Sequence, residues 1–160
     1  MSDIHVREAS EFDVFAIEEI MRASFEASYA HFMPEQYVRE FFDENRAAKV
    51  ARSGWNSVAV AEIMGRICGF VMYQDNTVNE LWVHPDDMGR GVGSALLDHA
   101  EERIREKRFP TATLYCYEPN EKALAFYGKR RYRKTSSFPS TDVAGGPVTV
   151  LTLVKMLKRK

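Results

Sequence analysis

From Val78 to Tyr117 the chain reads as strand, glycine-rich turn, helix and strand, and this order limits the fold more than any other feature. VNELWV has the aromatic and β-branched residues of a strand. HPDDMGRGVG then places Gly89, Gly91 and Gly93 within five positions. A helix from about Gly91 to Lys107 follows, with Val92, Ala95, Leu96, Ala100 and Ile104 on one face and basic residues in its last turn, where they suit the helix dipole. Pro110 stops it, and TATLYCY reads as a buried strand. Two strands joined through a helix lie parallel. With hairpin-type links elsewhere, the sheet is expected to be mixed and the fold α/β or α+β.

Upstream, IHVREA is a short opening strand. Ser10 with Asp13 resembles a capping box before a helix whose apolar face is Ile17, Ile20, Met21 and Phe25. A second helix follows Pro34, with Tyr37, Val38, Phe41 and Phe42. Between the two, SYAHFMP suits either a substrate-facing loop or aromatics lining the core. SVAVAEI, a Met64-Gly65 turn, RICGFVMYQ and an Asp75-Asn76 turn lead by hairpins into VNELWV. After TATLYCY come a short helix (NEKALAFYGK), a strand (YRKTSSF), a Gly-Pro loop (Val143 to Pro147) and a last strand, VTVLTLVKM.

The 160 residues, 45% hydrophobic and 28% charged, suit one domain spanning 1–160, without repeat or linker. No stretch approaches a membrane span, and the acidic MSDIHVREASE is unlike a signal peptide, so a cytoplasmic protein without membrane attachment is expected. Cys68 and Cys116 lie in strand-like apolar contexts as buried reduced thiols, and the four histidines stand singly, so no metal site is expected. The net charge of −1 divides into an acidic first half and a basic second half.

Three glycines at a helix start are costly unless a ligand must approach the backbone. N–H groups of GRGVG at a helix N-terminus are suited to an anion. A phosphate-binding P-loop would need Lys after its last glycine, where Ser94 stands, and a dinucleotide fingerprint would need a different glycine spacing. Both nucleotide readings fail.

ELWVHPDDMGRGVGSALL resembles the acetyl-CoA-binding segment of the GNAT N-acetyltransferase superfamily, a strand followed by Q/R-x-x-G-x-G/A. Gly91 and Gly93 match the family glycines, whereas Met88 occupies the Q/R position and Arg90 offers a charge nearby. A second segment agrees: Asn120, Ala123, Phe126 and Tyr127 match N-x-x-A-x-x-F-Y-x-x-x-G-F, with Arg131 at the glycine and Tyr132 at the last Phe. The resemblance runs from Ile4 to the last strand. It implies a mixed sheet of six or seven strands flanked by about four helices, with splayed central strands that grip acetyl-CoA as cosubstrate.

By the same resemblance, the backbone of Trp82 and Val83 would bond the pantetheine arm. Met88, Gly89, Arg90, Gly91, Val92, Gly93 and Ser94 would cradle the pyrophosphate, and Asn120 would reach the pantetheine. Tyr127 is the implied acid for the leaving thiolate, the alternative being a half-buried core tyrosine. For the base, Glu80 leads because it lies on the strand beside the cleft and shares a face with Trp82; His84 and Glu118 are the alternatives. The implied acceptor is a primary amine of a small molecule or peptide. Homodimers are common in the family. Two other functions compete: a non-catalytic acyl-CoA sensor, motivated by Met88 and Arg131, and nucleic-acid binding through YGKRRYRK and KMLKRK, which the near-neutral chain disfavours.

Overall fold

Alternating burial along the central strands explains why both faces of the sheet are covered. In β2 (Val58–Ile63), Ala59 and Ala61 face one apolar cluster while Val58 and Val60 face the other. β2 is joined to β3 (Arg66–Gln74) by Met64 and Gly65, both at positive φ (52° and 77°), which suits a tight two-residue hairpin turn. The first cluster lies under α4 (Val92–Glu106), and the second under α1 (Val14–Ser28) and α2 (Glu35–Asp43).

The computed structural model describes residues 3–53 and 57–159, leaving Lys160 of the basic tail outside the described residues. Its strands form one seven-stranded sheet in the order β1-β2-β3-β4-β5-β7-β6, completed by β1 (Ile4–Glu8), β4 (Thr77–Val83), β5 (Thr111–Tyr117), β6 (Arg133–Pro139) and β7 (Thr149–Met156). β4 and β5 run parallel and all other neighbours antiparallel, so the sheet is mixed as expected. Among the described residues there are five α-helices, against the about four expected. The additional one, α3 (Arg46–Ser53), buries Ala47, Ala48 and Ala51 and packs the half-buried Val50 against the second cluster, and with so little bulky apolar surface its sequence gives little helical signal. α5 (Glu121–Lys129) completes the set.

Ser10 and Asp13 do form a cap. The Ser10 amide donates to Asp13 Oδ2 at 2.8 Å, but the cap opens a short 3-10 turn, which then runs into α1. Gly69 lets α4 settle on β3: a Cβ there would lie 2.9 Å from both Trp82 O and Val92 Cγ1. That close approach brings the N-terminus of α4 to the end of β4.

Arg131, at the position where the family carries glycine, adopts φ +73°. The turn therefore keeps the left-handed geometry a glycine would give it, at a cost of about 1–2 kcal/mol for an L side chain. Arg131→Gly is expected to raise Tm by about 2–4 °C per kcal/mol recovered, read by thermal melting. An unchanged or lower Tm would show that the turn is not strained.

Candidate functional site

β4 and β5 part where β4 bulges. Met72 opposes Glu80 and Tyr73 opposes Val78, so Asn79 has no partner on β3. A bulge bends and twists its strand. Pairing with β5 is confined to Thr77↔Thr113 and Val78↔Leu114, and beyond it the strands splay. At the closed end the Thr113 amide donates to Asn76 O at 2.8 Å.

The open edge of β4 is defined by its hydrogen-bonding phase. The His84 amide donates to Cys68 O at 2.8 Å. Alternation along an antiparallel ladder then points the main-chain groups of Trp82 toward β3 and those of Leu81 and Val83 toward the splay. This corrects the expectation for Trp82: its backbone serves the sheet, and it is the main chain of Leu81 and Val83 that faces the splay. The Val83 carbonyl already accepts a hydrogen bond from the buried Ser24 hydroxyl of α1, leaving its N–H free for the gap.

The cleft at the splay encloses about 660 Å³. Glu80, Trp82, Tyr29 and Cys116 line it, as do Tyr37, Arg46, Tyr117 and Asp142. Trp82 Nε1 donates to Glu80 Oε2 at 2.6 Å and fixes the carboxylate. Burial pushes the Glu80 carboxyl up to about 6 against the lowering effect of that indole. Tyr127, on α5, packs against Phe126 and Tyr132 with ring centres 5.3 and 5.8 Å away, and burial raises its phenol well above the usual range. Cys116 and Glu80 lie close enough to add to that rise. Burial also pushes the Cys116 thiol up to about 11.

The sequence leaves Tyr29 open between a substrate-facing loop and the core. In the structure it is in ring contact with Phe25, Phe32, Trp82 and Tyr117, and it also lines the cleft. Of the other candidate bases, His84 uses Nδ1 to accept the Asp86 amide at 3.1 Å, and Glu118 is exposed.

Where the splay ends, Gly89 (φ +77°) and Gly91 (φ +88°) turn the chain into α4, Gly91 being its N-cap. The first N–H groups of a helix have no acceptor within it, so those of Val92, Gly93 and Ser94 remain available. A Cβ on Gly93 would make only ordinary contacts of 3.5–3.7 Å with Phe126 and Val83, so packing within the chain does not itself require a glycine here. Met88 lies beside Lys122, with Nζ 3.8 Å from Sδ, so a cation stands next to the position that lacks the family's polar side chain. Asn120 caps α5, its Oδ1 accepting the Ala123 amide at 3.2 Å while its NH₂ is left for other partners.

Asp87, which carries no signal of its own in the sequence, is the fully buried anchor of this loop. It accepts both Arg66 guanidinium nitrogens at 2.8 and 2.9 Å and Arg90 at 3.0 Å. Arg90 is thus tied to a carboxylate rather than free. Arg66 above all holds the Asp87 carboxyl below the usual range. A depressed folded pKa stabilises the protein above the ordinary Asp value of about 3.9, and the gain is lost as pH falls through the folded value. Asp87→Asn is expected to lower Tm at pH 7, with the gap to wild type closing on acidification below that range. A gap that persists in acid would assign the effect to packing instead.

The family model described as the acetyltransferase (GNAT) family matches residues 15–131. The chain belongs to the GNAT family. Among GNAT relatives, the peptidyl-lysine N-acetyltransferase YjaB of Escherichia coli strain K12 is 30% identical over 76% of this chain and 77% of that protein. Shorter matches to other curated acetyltransferases reach 35% identity, and this chain spans 55 to 63% of the length of those proteins. A GCN5-related N-acetyltransferase from Rhodopseudomonas palustris has the same fold, with a TM-score of 0.81, 26% identity and 98% of each chain covered. The PaiA N-acetyltransferase of Thermoplasma acidophilum, solved in complex with coenzyme A, shares the GNAT fold at a TM-score of 0.76 and 22% identity, over 97% of this chain and 99% of that one. No helix among the described residues is long and apolar enough to cross a membrane.

Proposed function

We propose that this protein transfers an acetyl group from acetyl-CoA directly to a primary amine of a small molecule or peptide, with Glu80 as general base and Tyr127 as acid. One observation carries the reading: a carboxylate pushed up to about 6 stands beside an open strand edge, at the mouth of a splay that ends on a glycine-rich helix start.

The residues present fit the cosubstrate. The N–H groups of Val92, Gly93 and Ser94 suit its pyrophosphate, helped by Lys122. The free edge of Leu81 and Val83 suits the amide-bearing pantetheine arm, as β-augmentation would require, and Asn120 has an amide NH₂ to offer it. Acetyl-CoA supplies an activated thioester as acyl donor.

An alkyl ammonium with a pKa near 10.4 is about a thousandth deprotonated at neutral pH, so the acceptor needs a base. Glu80 is largely ionised there, yet more basic than an exposed carboxylate. A main-chain N–H of Leu81 or Val83 would hold the negative charge that develops on the acetyl oxygen. Burial keeps the Tyr127 phenol protonated, the form that can donate to a leaving sulfur. Cys116, with its thiol at about 11, is a poor nucleophile at neutral pH, and this favours direct attack by the amine over an acetyl-cysteine route. A peptide lysine, the acceptor in the name of YjaB, is one amine of the required kind.

Incubation with acetyl-CoA and a panel of small and peptidyl amines is expected to release free CoA thiol in proportion to acetylated amine. Tight acetyl-CoA binding without release from any member would instead favour the sensor function.

A further inference from the structure

We infer that the acceptor carries a carboxylate held apart from its reacting amine by an extended spacer, and that Arg46 receives that carboxylate. The inference rests on the acetyltransferase reading above and names the substrate class of the same cleft.

Arg46 lines the cleft together with Glu80. Its guanidinium donates to the Tyr37 hydroxyl at 3.2 Å and lies 5.3 Å from the centre of that ring, and among the described residues it has no carboxylate partner. Arg7, Arg66, Arg105 and Arg130, by contrast, each hold one. Helix stability does not explain Arg46, because it opens α3, the end at which a cation is least favoured. A half-buried guanidinium with a phenol as its one side-chain partner has donors left over, and a carboxylate matches its fork.

A chain of ring contacts links the two charges. Glu80 is bound to Trp82; Trp82 meets Tyr29 at 5.1 Å, Tyr29 meets Phe25 at 5.3 Å, and Phe25 meets Tyr37 at 5.9 Å. Tyr37 then carries Arg46. Arg46 is also not among the groups that act on the Glu80 carboxyl, so the two charges stand apart and an amine at one and a carboxylate at the other do not sit on one carbon. Asp142 also lines the cleft and lies near Tyr117 without forming an ion pair with Arg46. A free ω-amino acid and a peptide with a carboxylate downstream of its amine share this chemistry.

The test compares matched pairs: aminohexanoate against its amide, and a glycine-initiated tripeptide with a free against an amidated C-terminus. The wild type is expected to favour the carboxylate member of one pair by about 10- to 100-fold in kcat/KM, the worth of a charge-assisted hydrogen bond. The pair that shows the preference identifies the source. Arg46→Gln is expected to bring the ratio close to one, and Arg46→Lys to keep part of it. Calorimetric titration of the same compounds reads the same ratio from affinities without turnover. A wild-type ratio near one for both pairs, or a ratio unchanged in Arg46→Gln, overturns the inference. If no acceptor releases thiol while titration still shows an Arg46-dependent preference, the transfer reading fails and the carboxylate site stands.

Discussion

Glu80→Gln is expected to lower kcat/KM by about 10²- to 10⁴-fold, the range for loss of a general base. It is also expected to abolish the acidic limb of the pH profile. In the wild type, activity rises with pH through about 6, because burial raises this carboxyl and only its ionised form can take a proton. Glutamine keeps the size and one acceptor for the Trp82 indole, so the loss is chemical rather than structural. Trp82→Phe removes the hydrogen bond that favours the anion, and the limb is then expected to move to higher pH. A Glu80→Gln enzyme with an unaltered limb near pH 6 would mean that another group accepts the proton.

Tyr127→Phe is expected to reduce kcat by about 10- to 100-fold, the lower part of the range for acid–base catalysis, while acetyl-CoA affinity stays within about twofold. The split follows from geometry. The ring packs against Phe126 and Tyr132, contacts phenylalanine retains, whereas the hydroxyl is the part suited to the leaving sulfur. The effect is expected to shrink with acyl donors whose thiols have a lower pKa, since a better leaving group needs less help. If kcat is unchanged, Tyr127 is a core tyrosine and protonation of the thiol falls to solvent.

The features legible in the sequence are local ones. Gly89 and Gly91 stand out because only glycine takes a left-handed turn without strain, and the structure places both at positive φ. The crossover through α4 follows from strand, helix and strand in succession. Other features depend on residues that meet only in the fold. Asp87 looks like a solvated acid in HPDD until Arg66, 21 positions earlier on the neighbouring hairpin, closes on it. Which amides of β4 face the splay depends on the phase of the ladder, which no single residue type marks, so the main chain of Leu81 faces the splay where that of Trp82 is expected. Arg46 joins the site only because α3, hidden behind its alanines, sets it against Tyr37. Glu80 is legible as a strand residue beside the cleft, whereas its raised basicity arises from burial that alternation alone does not reveal.

The central claim is direct transfer at the splay of β4 and β5, and intact-mass spectrometry of the protein with acetyl-CoA tests it most directly. Without an amine, the protein is expected to stay unmodified; on addition of an accepted amine, acetylated amine and free CoA are expected in equal amounts. An acetyl adduct on Cys116 that forms without the amine and disappears when it is added would contradict the claim, as would failure of the acetyl group to reach any amine.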